Sequence, residues 1–179
     1  EGPAALGAAL TEFMAERVRR WLTDVVGVAG DTADAVMAAG WADLPGSVAR
    51  AEALERARGS ASFRSLALAF KRVRNITEGQ PEAAVDAALF AHAEERELAE
   101  ATEAFGTRLA ALLPERRVAE AFAAMEPLAD VLERFFVAVL VMCEDGRVRS
   151  NRIALLKNLG RHFMQLADLS RLQVEGGEQ

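Results

Sequence analysis

FFVAVLVMCEDGRVRSNRIALLKNLGRHFMQLADLSRLQ, residues 135–173, reads as two helices joined by a short acidic turn, CEDG. The first is the apolar run ending at Met142, and the second starts near Arg147 and continues past Leu169. Asp145 can accept from the free N–H groups that open the second helix, and Gly146 suits a turn that excludes Cβ. At 100° per residue, Val148, Leu155, Leu159, Phe163 and Leu166 fall within about one quarter of the circumference. Lys157, Asn158, Arg161, Gln165 and Asp168 lie roughly opposite. Arg152 breaks the pattern by projecting into the apolar stripe. A guanidinium there must find a carboxylate, such as Glu144 or Asp145, or snorkel to a partner surface.

Working outward, 179 residues make one domain by the usual size prior, long enough to bury a core. A chain rich in Ala, Leu, Glu and Arg, with no Tyr and 6% aromatics, reads as all-α. The single Cys143 can form no internal disulfide, which suits a reducing cytoplasm. No apolar run has the length of a bilayer span, and the N-terminus lacks a signal-peptide layout. Beginning at Glu1 without Met, the sequence is expected to be a fragment of something longer. The net charge of −6 argues against indiscriminate nucleic-acid binding. Its distribution is uneven: residues 47–77 carry seven basic and two acidic groups, and residues 78–133 carry four and thirteen. Such asymmetry permits a focused polyanion site on a surface that otherwise repels one.

In chain order, Pro3 opens a helix carried on by Leu10, Phe13, Met14, Arg17, Val18, Trp21 and Leu22, and the glycines at 27 and 30 end it. Arg17, Arg19 and Arg20 read as a solvated face. Asp31 or Thr32 caps a short helix stopped by Gly40, Trp41 reads as a lid on the core, and Pro45 starts a helix through Arg58. Ser60 or Ser62 caps the next, SFRSLALAFKRVRNI, with Phe63, Leu66, Ala67, Phe70 and Val73 as its core stripe. On its far side Arg64, Leu68, Lys71 and Asn75 follow at helical spacing, with Arg72 beside them. A row of cations ending in an amide suits phosphate contact plus hydrogen bonding to a base edge. Arg74 falls at the edge of the stripe and can serve as a structural ion-pair partner. A loop follows from Thr77 to about Phe90. His92–Leu113 reads as a long helix whose Glu run (94, 95, 97, 100, 103) is a solvated face. Pro114 restarts a helix, and Pro127 begins the one leading into FFVAVLVM.

The order and spacing of FF, VLVM, the acidic turn, VRSNRIALL and LADLSRLQ resemble the C-terminus of the β subunit of bacterial heterotetrameric glycyl-tRNA synthetase. LTEFMAERVRRWL and FKRVRNI extend the resemblance from about Leu10 to Gln173. A looser pattern, an acidic turn followed by R-x-x-R-I-A-L-L and a late L-A-D-L, also resembles the helical anticodon-binding domain of arginyl-tRNA synthetase. The resemblance implies one all-α bundle of about seven to eight helices over residues 1–173, followed by a disordered tail, 174–179. It implies anticodon binding in support of ATP-dependent glycylation, with tRNA(Gly) as partner and, through a full-length β chain, the α subunit. ATP and magnesium would belong to that α subunit, so the domain itself carries no cofactor or metal; membrane and DNA are not among its partners. The resemblance supports the region of contact rather than each side chain; the residues expected to make the RNA contacts are Arg64, Lys71, Arg72 and Asn75, with Arg149, Asn151 and Arg152 as a second group.

No Gly-rich phosphate loop, Cys/His cluster, G-x-S-x-G elbow or nucleophile beside a base occurs, and His92 and His162 are far apart. The domain therefore reads as non-catalytic in isolation. The competing readings are the arginine-type domain, a helical scaffold that binds protein and never RNA, and, remotely, hydrolysis by surface carboxylates.

Overall fold

The computed structural model describes residues 3–174, and side chains from residue 5 onward. Among them there is no strand. The helices are α1 (Pro3–Trp21), α2 (Gly30–Ala38), α3 (Leu44–Ala57), α4 (Ala61–Thr77), α5 (Ala93–Leu112), α6 (Val118–Ala123), α7 (Leu128–Ala138) and α8 (Gly146–Phe163). None is long and apolar enough to cross a membrane.

The last helix is central because its sequence buries every side from Asn151 to Leu156, against α4 and α5. Asp145 caps it, its carboxylate accepting from the amides of Arg147 and Val148 at 2.8 and 3.1 Å. Phe163, near its end, stacks on Phe70 of α4 at 4.7 Å and meets Phe105 of α5 edge-on at 5.7 Å. These rings tie three helices into one core and explain why so few aromatics suffice.

Several boundaries differ from the sequence reading. α7 stops at Ala138 rather than running to Met142, and Val139 is extended, with φ −116° and ψ 115°. Val139 and Val141 are buried while Leu140 and Met142 are exposed. That two-residue alternation, with β-branched residues at its inward positions, favours extended chain over helix. α8 ends at Phe163; Asp168 then caps a separate 3₁₀ turn, Leu169–Arg171. α6 begins at Val118, four residues later than Pro114 suggests. α1 gives way to a π-helical turn, Leu22–Val26, closed by Gly27 at φ 84°. Of the periodic residues that carry α1 onward, Val18 and Leu22 are buried, but Leu10, Phe13, Met14 and Trp21 are exposed.

Trp41 packs against the core as the sequence suggests. So does Val174, half-buried; residues 175–179 of the expected disordered tail lie outside the described residues. The C-terminal segment closes onto the N-terminal half. The Asp168 amide donates to the Ala35 carbonyl at 2.9 Å, and the Gln173 amide donates to the Asp31 carboxylate at 2.8 Å.

Candidate nucleic-acid interface

Helix α4 is set by its own sequence. Ser60 caps it, Oγ accepting from the Phe63 amide at 3.0 Å, and Phe63, Leu66, Ala67, Phe70 and Val73 are all buried. With that face fixed, Arg64, Leu68, Lys71, Arg72 and Asn75 must point to solvent, and all five are exposed.

The basic segment around them is less free than its net charge suggests. Arg58 holds Asp31 through two hydrogen bonds, 2.6 and 2.8 Å. Burial alone would push the Asp31 carboxyl up; the Arg58 side chain and the Gln173 amide outweigh it, and the group sits below its usual range. Arg50 is committed to the carbonyls of Gly40 and Leu166 and to Ser47 Oγ. Arg74 lies 3.9 Å from the buried carboxylate of Asp168, the structural role its position at the stripe edge suggests. Among the described residues, Lys71 and Arg72 enter no ion pair. Arg64 donates to the Gly59 carbonyl at 2.8 Å.

Two depressions flank α4. One, of about 570 Å³, is lined by Arg58, Phe63, Arg64, Ala67, Leu172 and Gln173, among others. The other, of about 340 Å³, is lined by Ser65, Leu68, Arg72, Glu133, Phe136 and Val137, among others. Over the second, the Arg72 guanidinium lies 4.1 Å from the centre of the Phe136 ring. The ring holds the cation in place, and together they offer a platform for a planar partner. Phe136 is not among the sequence candidates, although FF carries the signal. Successive residues of a helix point about 100° apart, so only one of the pair can face the core. Phe135 does, fully buried, and leaves Phe136 half-buried at the edge of the second depression.

The second group of candidates divides. Asn151 is 3% exposed, and its side chain is consumed within the fold, accepting from the Asp86 amide at 2.7 Å and donating to the Asp86 carbonyl at 3.0 Å. Arg152 is 5% exposed; its Nε donates to Glu95 Oε1 at 2.9 Å and its Nη1 to the Leu140 carbonyl at 3.0 Å. Burial and satisfied hydrogen bonding withdraw both from any RNA surface. Arg152 does pair with a carboxylate, but with Glu95 rather than Glu144 or Asp145. Glu95 is correspondingly not part of a solvated face: it is fully buried and also accepts from the amides of Ala91 and His92. Arg149 is half-buried, donating to the Cys143 carbonyl at 2.7 Å. It lines a small cleft with Gln80, Pro81 and Ile153 that shares no residue with either depression beside α4. The structure therefore groups Arg64, Lys71, Arg72 and Asn75 and leaves Arg149 outside. No cluster of three or more His, Cys, Asp or Glu among the described residues could hold a metal ion.

Residues 66–170 match the family model of the DALR anticodon binding domain. Across 186 aligned residues the chain is 37% identical to the glycine–tRNA ligase beta subunit of Acidobacterium capsulatum, covering 96% of this chain and 26% of that one. It is 36% identical to the beta subunit of Anaeromyxobacter dehalogenans, covering 99% and 26%, and 39% identical to that of Geobacter metallireducens, covering 80% and 21%. The chain spans about a quarter of the length of these curated relatives.

Proposed function

The chain belongs to the DALR anticodon-binding domain family, and from that premise we propose that it recognises the anticodon arm of tRNA(Gly) within a cytoplasmic glycine–tRNA ligase beta subunit. The observation that carries this reading is the outer face of α4, where Arg64, Lys71, Arg72 and Asn75 stand exposed on a helix anchored to the core. Of the neighbouring cations, Arg58 and Arg74 face carboxylates and Arg50 is held by carbonyls, which leaves the α4 ridge the freer cations. Lys71 and Arg64 supply phosphate contacts, which position the RNA without reading it. The Arg72–Phe136 plate offers a stacking surface to an unpaired base, and Asn75 offers an amide to a base edge. The depression beside the plate is lined by Leu68, Val137 and Glu133, and the last repels phosphate and favours an uncharged base. The domain's share is binding. ATP and magnesium chemistry falls to the α subunit, to which docking presents the acceptor end.

The test is a titration of a glycine-anticodon stem-loop and a mismatched one at two salt concentrations. Lys71→Glu with Arg72→Glu should weaken binding by roughly tenfold or more at low salt. Losing the Lys71 phosphate contact should flatten the slope of log K against log salt by at least about 0.7 to 0.9. Arg72→Lys keeps the charge but loses the plate, and should erode the preference for the matched loop more than overall affinity. Binding blind to the anticodon and untouched by the double reversal would overturn the reading in favour of a protein-binding scaffold.

A further inference from the structure

Of the eleven large hydrophobic residues that the described residues expose, six (Leu6, Leu10, Phe13, Met14, Trp21 and Val25) lie on α1 and the turn after it. Leu6, Leu10 and Phe13 are 71, 59 and 51% exposed, so this is no fringe of the core. At helical spacing, Leu6, Leu10, Phe13, Met14 and Trp21 form one stripe along α1. The cation within it does not interrupt it, because the Arg17 guanidinium lies over the Phe13 ring at 4.4 Å. On one flank Glu16 and Arg20 pair at 2.6 Å. An apolar centre with a polar rim is the anatomy of a protein interface. Within the chain α1 packs chiefly through its last turns, on α2 and the π-helical turn. A long amphipathic helix with its apolar face open to water is unstable unless that face is covered.

We infer that the α1 stripe is a docking face for a second folded domain of the same polypeptide, in a beta subunit of the relatives' length; this assignment rests on the beta-subunit reading above. The A. capsulatum and A. dehalogenans alignments take in 96 and 99% of this chain but only 26% of each relative, so those chains carry a large further body of protein outside the counterpart of this chain. The stripe also lies outside residues 66–170, the part matched as the anticodon-binding domain. A covalently linked neighbour meets this face at high effective concentration, so a single helix stripe suffices where a free partner would need a larger area.

The test compares hydrogen–deuterium exchange of residues 5–17 in the isolated chain with the same segment in a chimera, in which the chain replaces its aligned segment of the A. capsulatum beta subunit. Exchange should be fast in the isolated chain and roughly a hundredfold slower, or more, in the chimera. Leu10→Asp with Phe13→Asp should restore fast exchange there without altering α4 to α8. Both residues are exposed, so the isolated variant should fold normally. Where the chimera does not fold, the same comparison is made on the natural A. capsulatum subunit against its excised aligned segment. Equal exchange in both contexts overturns the inference. So does a stable dimer of the isolated chain that the Asp pair abolishes, which would assign the face to a second copy. Stem-loop binding by the isolated Asp variant, measured in parallel, should be unchanged; its loss would instead make α1 part of the RNA surface and overturn the inference. Failure of the anticodon reading appears separately, in the Lys71 and Arg72 variants.

Discussion

Arg152 and Glu95 are separated by 57 positions in the chain and meet in its interior at 2.9 Å. Removing either leaves a buried charge without its partner, so Arg152→Met should cost about 3–5 kcal/mol in urea unfolding. The double variant Arg152→Met, Glu95→Leu should cost clearly less than the sum of the singles, the signature of direct coupling. Burial alone would raise the Glu95 carboxyl, but the Arg152 side chain and the amides of His92 and Ala91 outweigh it and hold the group below its ordinary value. The depressed group stabilises the fold fully above its unfolded value of about 4.3, and that stability is lost as pH falls through the lower folded value. Below about pH 4.3, the urea midpoint of the wild type should therefore fall more steeply than that of Glu95→Gln. Gly106 makes a second residue-level case. A Cβ there would lie 2.7 Å from His162 Nε2, inside van der Waals contact. Gly106→Ala would gain about 1 kcal/mol of helix propensity, yet overpacking costs about 1–3 kcal/mol, so the variant should be destabilised and His162→Ala should relieve it. The sequence discloses that Arg152 needs a carboxylate, because a cation on an apolar stripe demands one. It cannot disclose which, because helical periodicity reports the face a residue takes and not what lies across from it.

At the scale of elements, the same limit explains what is legible and what is not. The inner face of α4 follows from spacing alone, and its outer face follows by subtraction. Asn75 and Asn151 look alike in sequence, each an amide near cations on a basic helix. Only packing separates them: α8 is covered on every side at Asn151, whereas α4 is covered on one. Asn151 instead fastens the long connection between α4 and α5, helped by Lys157, which reaches the Gln80 carbonyl and Glu82, and by Arg161, 3.1 Å from Glu82. Asp86 is exposed, so water can replace the lost bonds, and Asn151→Ala should cost only about 1 kcal/mol. Its larger effect should be faster hydrogen exchange across residues 84–91, leaving α4 and α8 unchanged. The early end of α7 has a visible cue in the alternating VLVM, which the length of the apolar run overrides in the sequence reading. The exposure of α1 has none, because a pattern that marks an apolar face is the same whether or not the chain itself supplies the cover.

For the molecule as a whole, the C-terminal segment is a clasp. Residues 168–173 bond to Ala35 and Asp31, so α2 is sealed by the last part of the described chain. Deleting residues 168–174 should strip that seal, raising hydrogen exchange in α2 by orders of magnitude while the aromatic core of α4, α5 and α8 keeps its protection. The clasp also orders events in time. Its outermost bond, from Gln173 to Asp31, spans 142 positions, and at about 5–20 residues per second a ribosome needs roughly 7–28 s to make that much chain. Throughout that interval α2, which holds the buried Ala33 and Val36, lacks the part of its cover that the C-terminal segment supplies. This part of a nascent chain therefore waits half-finished, and slow synthesis or stalling before residue 173 turns the same clasp into an opening for chaperones and proteases.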